Sequence, residues 1–374
     1  MNNYFADYST LLGSQQQLTH CQQAKSLGDL LARIKQLWNC PQLHDNELLG
    51  EINRFNQVPV DDVVLAGNWL PYRYQPKRKI VNWLIPSGHA TEPFQDEYLS
   101  RCSQQLFNQI IQPRTSLASS LQQVKKIADV QPAGFIFHLS RCGSTLISGC
   151  LSELDSTCVF SESPLLTELL LDKQLAADEQ KEYLRAFINL QAAAFPARPQ
   201  MIIKWNAWDI FQWELIRGLY PQVPAIFLVR DPVEILASHH KMAGRHMSGD
   251  VKLAFLQSGM AALSGEDVLE LRIRVLRFLL DGMNSRRLGQ GVMVKDYRQL
   301  TTTEILDICQ YFNLPLALEA IASVERRMQY HSKALGQEFS GDSIQKHVVF
   351  DANEKVIIEN RLLPLYQQIV LSAL

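Results

Sequence analysis

From Gly134 onward the chain alternates short, continuous apolar runs with amphipathic stretches, and this alternation restricts the fold more than any other feature. The runs that read as strands are Gly134 to Leu139, Thr157 to Phe160, Met201 to Trp205, Ala225 to Val229 and Gly291 to Lys295. They are continuous rather than alternating, the pattern of parallel strands buried on both faces. Between them Leu165 to Leu171, Tyr183 to Ala194, Ile210 to Leu219 and Val268 to Met283 carry helical spacing and read as crossover helices. The expected fold class is α/β, an open, mainly parallel sheet of about five strands with helices on both faces. Ligands of such sheets bind at the carboxyl ends of the strands, so the residues that follow each run matter most.

The first third reads differently. Leu27, Leu30, Leu31, Ile34, Leu37 and Trp38 recur at helical spacing, which predicts one or two amphipathic helices between Ser26 and Phe55. Val58 to Pro93 holds Trp69, Tyr72, Tyr74, Trp83, several prolines and a basic cluster, Arg73, Lys77, Arg78 and Lys79. It reads as short extended segments and loops, its cluster a solvated face or a docking patch. A length of 374 residues excludes a single small module. The expected division is an accessory region over 1–130, of mixed and partly helical character, and a catalytic domain over 131–374, joined near Gln131 to Ala133.

Charge and cysteine usage narrow the function classes. The 36 basic and 38 acidic side chains nearly cancel, so no global field draws the chain to nucleic acid or an anionic membrane. Any anion must be held by a local site. No apolar run approaches the roughly 18 residues needed to span a bilayer, and Met1 to Cys21 lacks both parts of a secretory signal. Seven scattered cysteines, never spaced C-x-x-C, argue against a disulfide framework or structural zinc. The expected location is cytoplasmic.

Two segments carry chemistry. After the first strand comes Ser140-Arg141-Cys142-Gly143-Ser144-Thr145-Leu146, then a helical pattern. A strand, a glycine-containing turn and a helix start gather backbone N–H groups and the positive helix end around one point, an anion cradle. The loop lacks the second glycine and the lysine of a nucleoside-triphosphate loop, which argues against magnesium-dependent γ-phosphate transfer. A plain capped helix start is the alternative reading. After the fourth strand, Arg230-Asp231-Pro232-Val233-Glu234 reads as a strand end and helix start, with Ser238 two turns along. Arg230 and Ser238 either converge on one ligand, or Arg230 pairs with Asp231 or Glu234.

Together the two segments resemble the sulfotransferases that use 3′-phosphoadenosine-5′-phosphosulfate (PAPS), over roughly 134–374. The resemblance implies that Arg141, Cys142, Gly143, Ser144 and Thr145 hold the 5′-phosphosulfate and that Arg230 and Ser238 hold the 3′-phosphate. Lys204 matches a family lysine that steadies the oxygen between phosphate and sulfuryl group; an edge lysine is the alternative. Asn206 stands where cytosolic members place a catalytic histidine. Glu162 matches the glutamate base of tyrosylprotein and heparan members, or else caps the helix beginning near Pro164. Tyr297, in Asp296-Tyr297-Arg298-Gln299-Leu300, resembles a tyrosine-x-x-leucine segment beside the nucleotide, and Lys333, with Ser332 and Lys346, resembles late basic residues over the adenosine phosphate.

The implied activity is transfer of a sulfuryl group from PAPS to a hydroxyl, less readily an amine, of a small-molecule acceptor. It needs no metal, no nucleic acid and no membrane span. The histidine-rich run Ser238 to His246 is then expected to line the nucleotide or acceptor entrance. A P-loop nucleotide kinase and a non-catalytic PAPS-binding interaction protein are the rival readings.

Overall fold

Two helix starts in the first third follow from local hydrogen bonding. The Ser26 hydroxyl accepts the Asp29 N–H at 3.2 Å, and the Glu47 carboxylate accepts the His44 N–H at 2.9 Å. The amphipathic stretch from Ser26 to Phe55 is accordingly two helices, Leu27–Leu37 and Asp45–Phe55, with Leu30, Leu31, Ile34, Leu48 and Ile52 buried. The computed structural model describes residues 4–257, 268–331, 334–338 and 346–371. These divide into two compact units, Met1–Val130 with Ser163–Pro199, and Gln131–Glu162 with Gln200–Leu374.

In the first unit, strands Leu70–Gln75, Ile80–Leu84 and Arg114–Ser116 form an antiparallel sheet in that order. Lys79, at the hairpin, takes φ +53° and sets its ammonium 2.7 Å from Asp172, which also accepts the Tyr74 hydroxyl at 2.7 Å. One member of the basic cluster is thus a structural partner. Helices Pro164–Leu170 and Ala177–Ala193 pack on strand Leu70–Gln75, and the longer one also packs on helix Leu117–Val124. The division expected at 130 is therefore only the first of several junctions. These two helices, read from sequence as crossovers of the catalytic domain, bury their apolar stripe within the first unit, and periodicity alone does not name a stripe's partner.

The second unit holds the expected sheet: β1 (Gly134–His138), β2 (Thr157–Ser161), β3 (Gln200–Lys204), β4 (Ala225–Val229) and β5 (Val292–Asp296). All pairs are parallel, in the order β2-β3-β1-β4-β5. One face carries Ile136, Ile202, Ile226 and Leu228 under α1 (Ser144–Ser152), α5 (Thr302–Tyr311) and α6 (Leu318–Met328). The other is aromatic: Phe137 meets Trp205, Trp213 and Phe227 at ring separations of 6.2, 5.3 and 5.7 Å. Trp213 opens α2 (Trp213–Leu219); Ala207–Gln212 before it is a 3-10 turn, so the predicted helix from Ile210 starts three residues late. The unit is completed by α3 (Pro232–Lys241), α4 (Val268–Asn284) and α7 (Ala352–Leu371), the last packed on α3 and α4. No helix among the described residues is long and apolar enough to cross a membrane.

Register fixes what comes next. Ser161 pairs with Lys204, Lys204 with Ile136, His138 with Leu228, and Val229 with Asp296. The chain leaves β2, β1, β4 and β5 into Glu162, Leu139, Arg230 and Tyr297 along one carboxyl edge of the sheet.

Candidate active site

The loop between β1 and α1 has an unusual backbone. Ser140, Arg141 and Gly143 take φ of +66°, +54° and +85°. For residues with a Cβ the left-handed region is costly, so two such residues in succession mark a loop held in a set shape by its surroundings. The turn aims the start of α1, whose first N–H groups have no partner within the helix, toward the strand edge. Ser144 and Thr145 lie buried in that first turn. Cys142 points the other way, into the core with Ile136, Ile147 and Leu151, and burial pushes its thiol up to about 12. Only its backbone is left for a ligand.

Gly143 is required twice over. A Cβ there would stand 2.7 Å from Leu300 Cδ1 and 2.8 Å from Tyr297 Cδ2, in a backbone region that L-residues avoid. Gly143→Ala is expected to lower stability by about 1–3 kcal/mol and to displace Tyr297; a thermal melt within 1 °C of the parent would contradict this.

Glu162 sits where β2 ends. Its N–H donates to Lys204 O at 2.7 Å, its φ is +55°, and the next residue, Ser163, is the N-cap of helix Pro164–Leu170. The helix-cap reading of Glu162 therefore fails. Its Oε1 lies 3.2 Å from Lys204 Nζ and 3.4 Å from His138 Nε2. Burial alone would raise the carboxyl's pKa, but the Lys204 charge and the His138 hydrogen bond outweigh it and hold Glu162 well below the usual carboxylate range. Lys204 lies on an interior strand with no solvent exposure, so it is no edge lysine. Such a charge is kept inside only beside a partner, which Glu162 provides.

Arg230 continues the edge one strand over. It forms a buried ion pair with Glu234 one helical turn on, donates from Nη1 to Arg141 O at 3.2 Å, and stacks 3.9 Å from the Tyr297 ring centroid. Asp231 instead caps α3, accepting the Val233 N–H at 2.8 Å. Of the two partners weighed for Arg230, Glu234 is the one it takes. Arg141 also donates to Met242 O at 2.7 Å. Arg141, Gly143, Arg230 and Tyr297 are thereby brought into one cluster, and Glu162 and Lys204 into a second, joined to the loop through His138. Ser238 is half-buried two turns into α3. Ser332 and Lys333 lie outside the described residues.

Two polar residues, His138 and Asp209, escaped the sequence reading, and a third, His246, was read only as part of the histidine-rich run. His138 ends an otherwise apolar strand, and its Nδ1 accepts the Ser140 N–H at 2.9 Å. Asp209 accepts both the N–H and the side-chain amide of Asn206 at 2.8 Å; burial pushes it up to about 7, and the Glu162 charge adds to that. His246 is buried 5.3 Å from the His239 ring, and burial, with His138 adding, holds it down to about 4. His239 and His246 are thus interior residues, His246 is uncharged at neutral pH, and the expected cationic entrance is not what they build. A polar residue closing an apolar run was the legible signal for His138.

No known protein-family profile matches this chain, and neither does any curated protein. Solved structures similar to it include three sulfotransferases. Sulfotransferase STF9 from Mycobacterium avium is 13% identical over 63% of this chain and 79% of its own, at a TM-score of 0.40. Sulfotransferase STF1 from Mycobacterium tuberculosis H37Rv is 16% identical over 56% and 76%, at 0.37. The sulfotransferase domain of the Synechococcus PCC 7002 olefin synthase is 16% identical over 66% and 94%, at 0.36.

Proposed function

We propose that this chain is a sulfotransferase that moves a sulfuryl group from PAPS to a hydroxyl, or less readily an amine, of a small-molecule acceptor. The observation that carries the reading is the contact of Glu162 with buried Lys204 at one end of the parallel sheet, linked through His138 to the glycine-dependent loop before α1. A base and a cation in contact beside an anion cradle are the parts that transfer to an oxygen nucleophile needs. The residues suit an anionic donor: Arg141 and the first-turn N–H groups of α1 stand at the end of β1, and Arg230 stands at the neighbouring strand end.

When bound, PAPS supplies the sulfuryl group and two separated phosphate ends. Arg141 and the 142–145 backbone hold the 5′ end, with the Ser144 and Thr145 hydroxyls as further donors. Arg230, with Ser238, holds the 3′-phosphate, and Tyr297 keeps the guanidinium flat against its ring. Glu162 takes the acceptor proton. Paired with Lys204 it is ionised but weakly basic; as the lysine's charge is shared with a donor anion, its hold on the carboxylate weakens and the base strengthens. Lys204 thereby serves both partners.

The test is calorimetry on the full chain with the desulfated product, 3′-phosphoadenosine-5′-phosphate (PAP), against ADP. A charge-assisted contact to the 3′-phosphate is worth about 1.5–3 kcal/mol, so PAP is expected to bind roughly ten- to a hundredfold tighter than ADP. Equal affinities, or ADP binding that strengthens with magnesium, would overturn the donor assignment in favour of a kinase. PAP binding without turnover of PAPS on any acceptor would favour the non-catalytic reading.

A further inference from the structure

We propose that His138 is a positioning residue for Glu162, its Nε2–H held against the carboxylate because the loop backbone at Ser140 claims Nδ1. The inference rests on Glu162 being the base. A backbone N–H can only donate, so the 2.9 Å contact from Ser140 N makes Nδ1 the acceptor and assigns the ring proton to Nε2. That nitrogen lies 3.4 Å from Glu162 Oε1, in a side chain 4% exposed. Lys204 approaches the same oxygen at 3.2 Å. The His138 ring and the Lys204 ammonium thus approach the same carboxylate oxygen.

The coupling runs through the loop. Ser140 and Arg141 are the two left-handed residues of the anion cradle, so the N–H that sets the His138 tautomer belongs to the segment proposed to grip the donor. Glu162 is also left-handed, a costly conformation held in place by its N–H donating to Lys204 O at 2.7 Å. The charged and titratable groups acting on Glu162 are Lys204 from β3, His138 from β1, Arg141 from the loop, Asp209 from the turn after β3, and His246 after α3. Of these, His138 and Lys204 are the ones within direct reach of Oε1.

Two substitutions separate the ring's two contacts. His138→Gln offers an N–H near the Nε2 position; His138→Asn offers an acceptor near Nδ1 and no donor toward Glu162. Nitrogen NMR of the ligand-free full chain at neutral pH is expected to show His138 protonated at Nε2 alone; protonation at Nδ1, or a charged ring, overturns the proposal. PAPS turnover with water as acceptor is expected to fall roughly ten- to a hundredfold in kcat for His138→Asn. Its acid limb should move to higher pH, because loss of the donor raises the Glu162 pKa. His138→Gln should stay within a few-fold of the parent, with its limb unmoved. PAP affinity should be unchanged for His138→Asn, which keeps an acceptor for the Ser140 N–H. Loss of kcat in both variants with no movement of either limb means a merely structural role and overturns the proposal. Failure of the parent to bind PAP sinks the donor assignment instead, and the NMR result still decides the tautomer.

Discussion

Glu162→Gln is expected to lose about 10²–10⁴ in kcat on any acceptor, water included, while binding PAP as the parent does. The glutamine keeps the volume and the hydrogen-bonding oxygen but cannot take a proton. Its amide also leaves Lys204, which has no solvent exposure, facing a neutral group, so the melting temperature falls as well and the comparison belongs below both melting points. A fully active Glu162→Gln enzyme would remove Glu162 from the mechanism and leave Asp209 as the carboxyl to test next. The pH dependence has a definite sign. A base must be ionised to act, and Lys204 and His138 depress the Glu162 pKa. In kcat/KM, which reports the free enzyme, activity should therefore persist as pH falls through about 4, the ordinary glutamate value.

The largest stability effect is expected at Arg230. Arg230 and Glu234 form an ion pair in which each side chain is 5% exposed. Arg230→Met leaves the glutamate buried without its guanidinium and should cost about 3–5 kcal/mol. Replacing both, Arg230→Met with Glu234→Leu, should restore most of that loss, since a buried pair contributes little beyond an apolar pair of similar volume. Urea unfolding of the two variants measures both. An Arg230→Met protein within about 1 kcal/mol of the parent would show that the glutamate is better solvated than its exposure indicates. The double variant also isolates the ligand role: if Arg230 grips a 3′-phosphate, the folded double variant should bind PAP and ADP equally.

What was legible in the sequence follows from the range of each physical signal. Most of the strands could be read because a strand buried on both faces must be apolar along its length, a property of the segment itself; β5, at the sheet edge and partly exposed, was legible from the short apolar run Val292 to Val294 alone. The loop and the α3 start were legible for the same reason: glycine at a tight turn and Asp-Pro at a helix entry are local requirements. Partnership is not local. Whether Arg230 bonded Asp231, Glu234 or a ligand was undecided until the turn of α3 brought Glu234 alongside and committed Asp231 to the cap. Glu162 was chosen by its place after a strand, yet its left-handed backbone had no sequence mark, since glutamate avoids that region as much as most residues do. Asp209 was missed, and His246 was read as part of a cationic run, because their unusual acidities arise from burial, which no local pattern marks.

The two halves of this protein are stitched by three covalent crossings, after Val130, after Glu162 and after Pro199. The second falls on the peptide bond that follows the proposed base. Recombination that exchanged or shed the leading half as a cassette would strand helices Pro164–Leu170 and Ala177–Ala193 without the surfaces they cover, immediately downstream of the proposed base. Separating the two halves as independent cassettes would therefore break the chain at the proposed base as well as at the other two crossings.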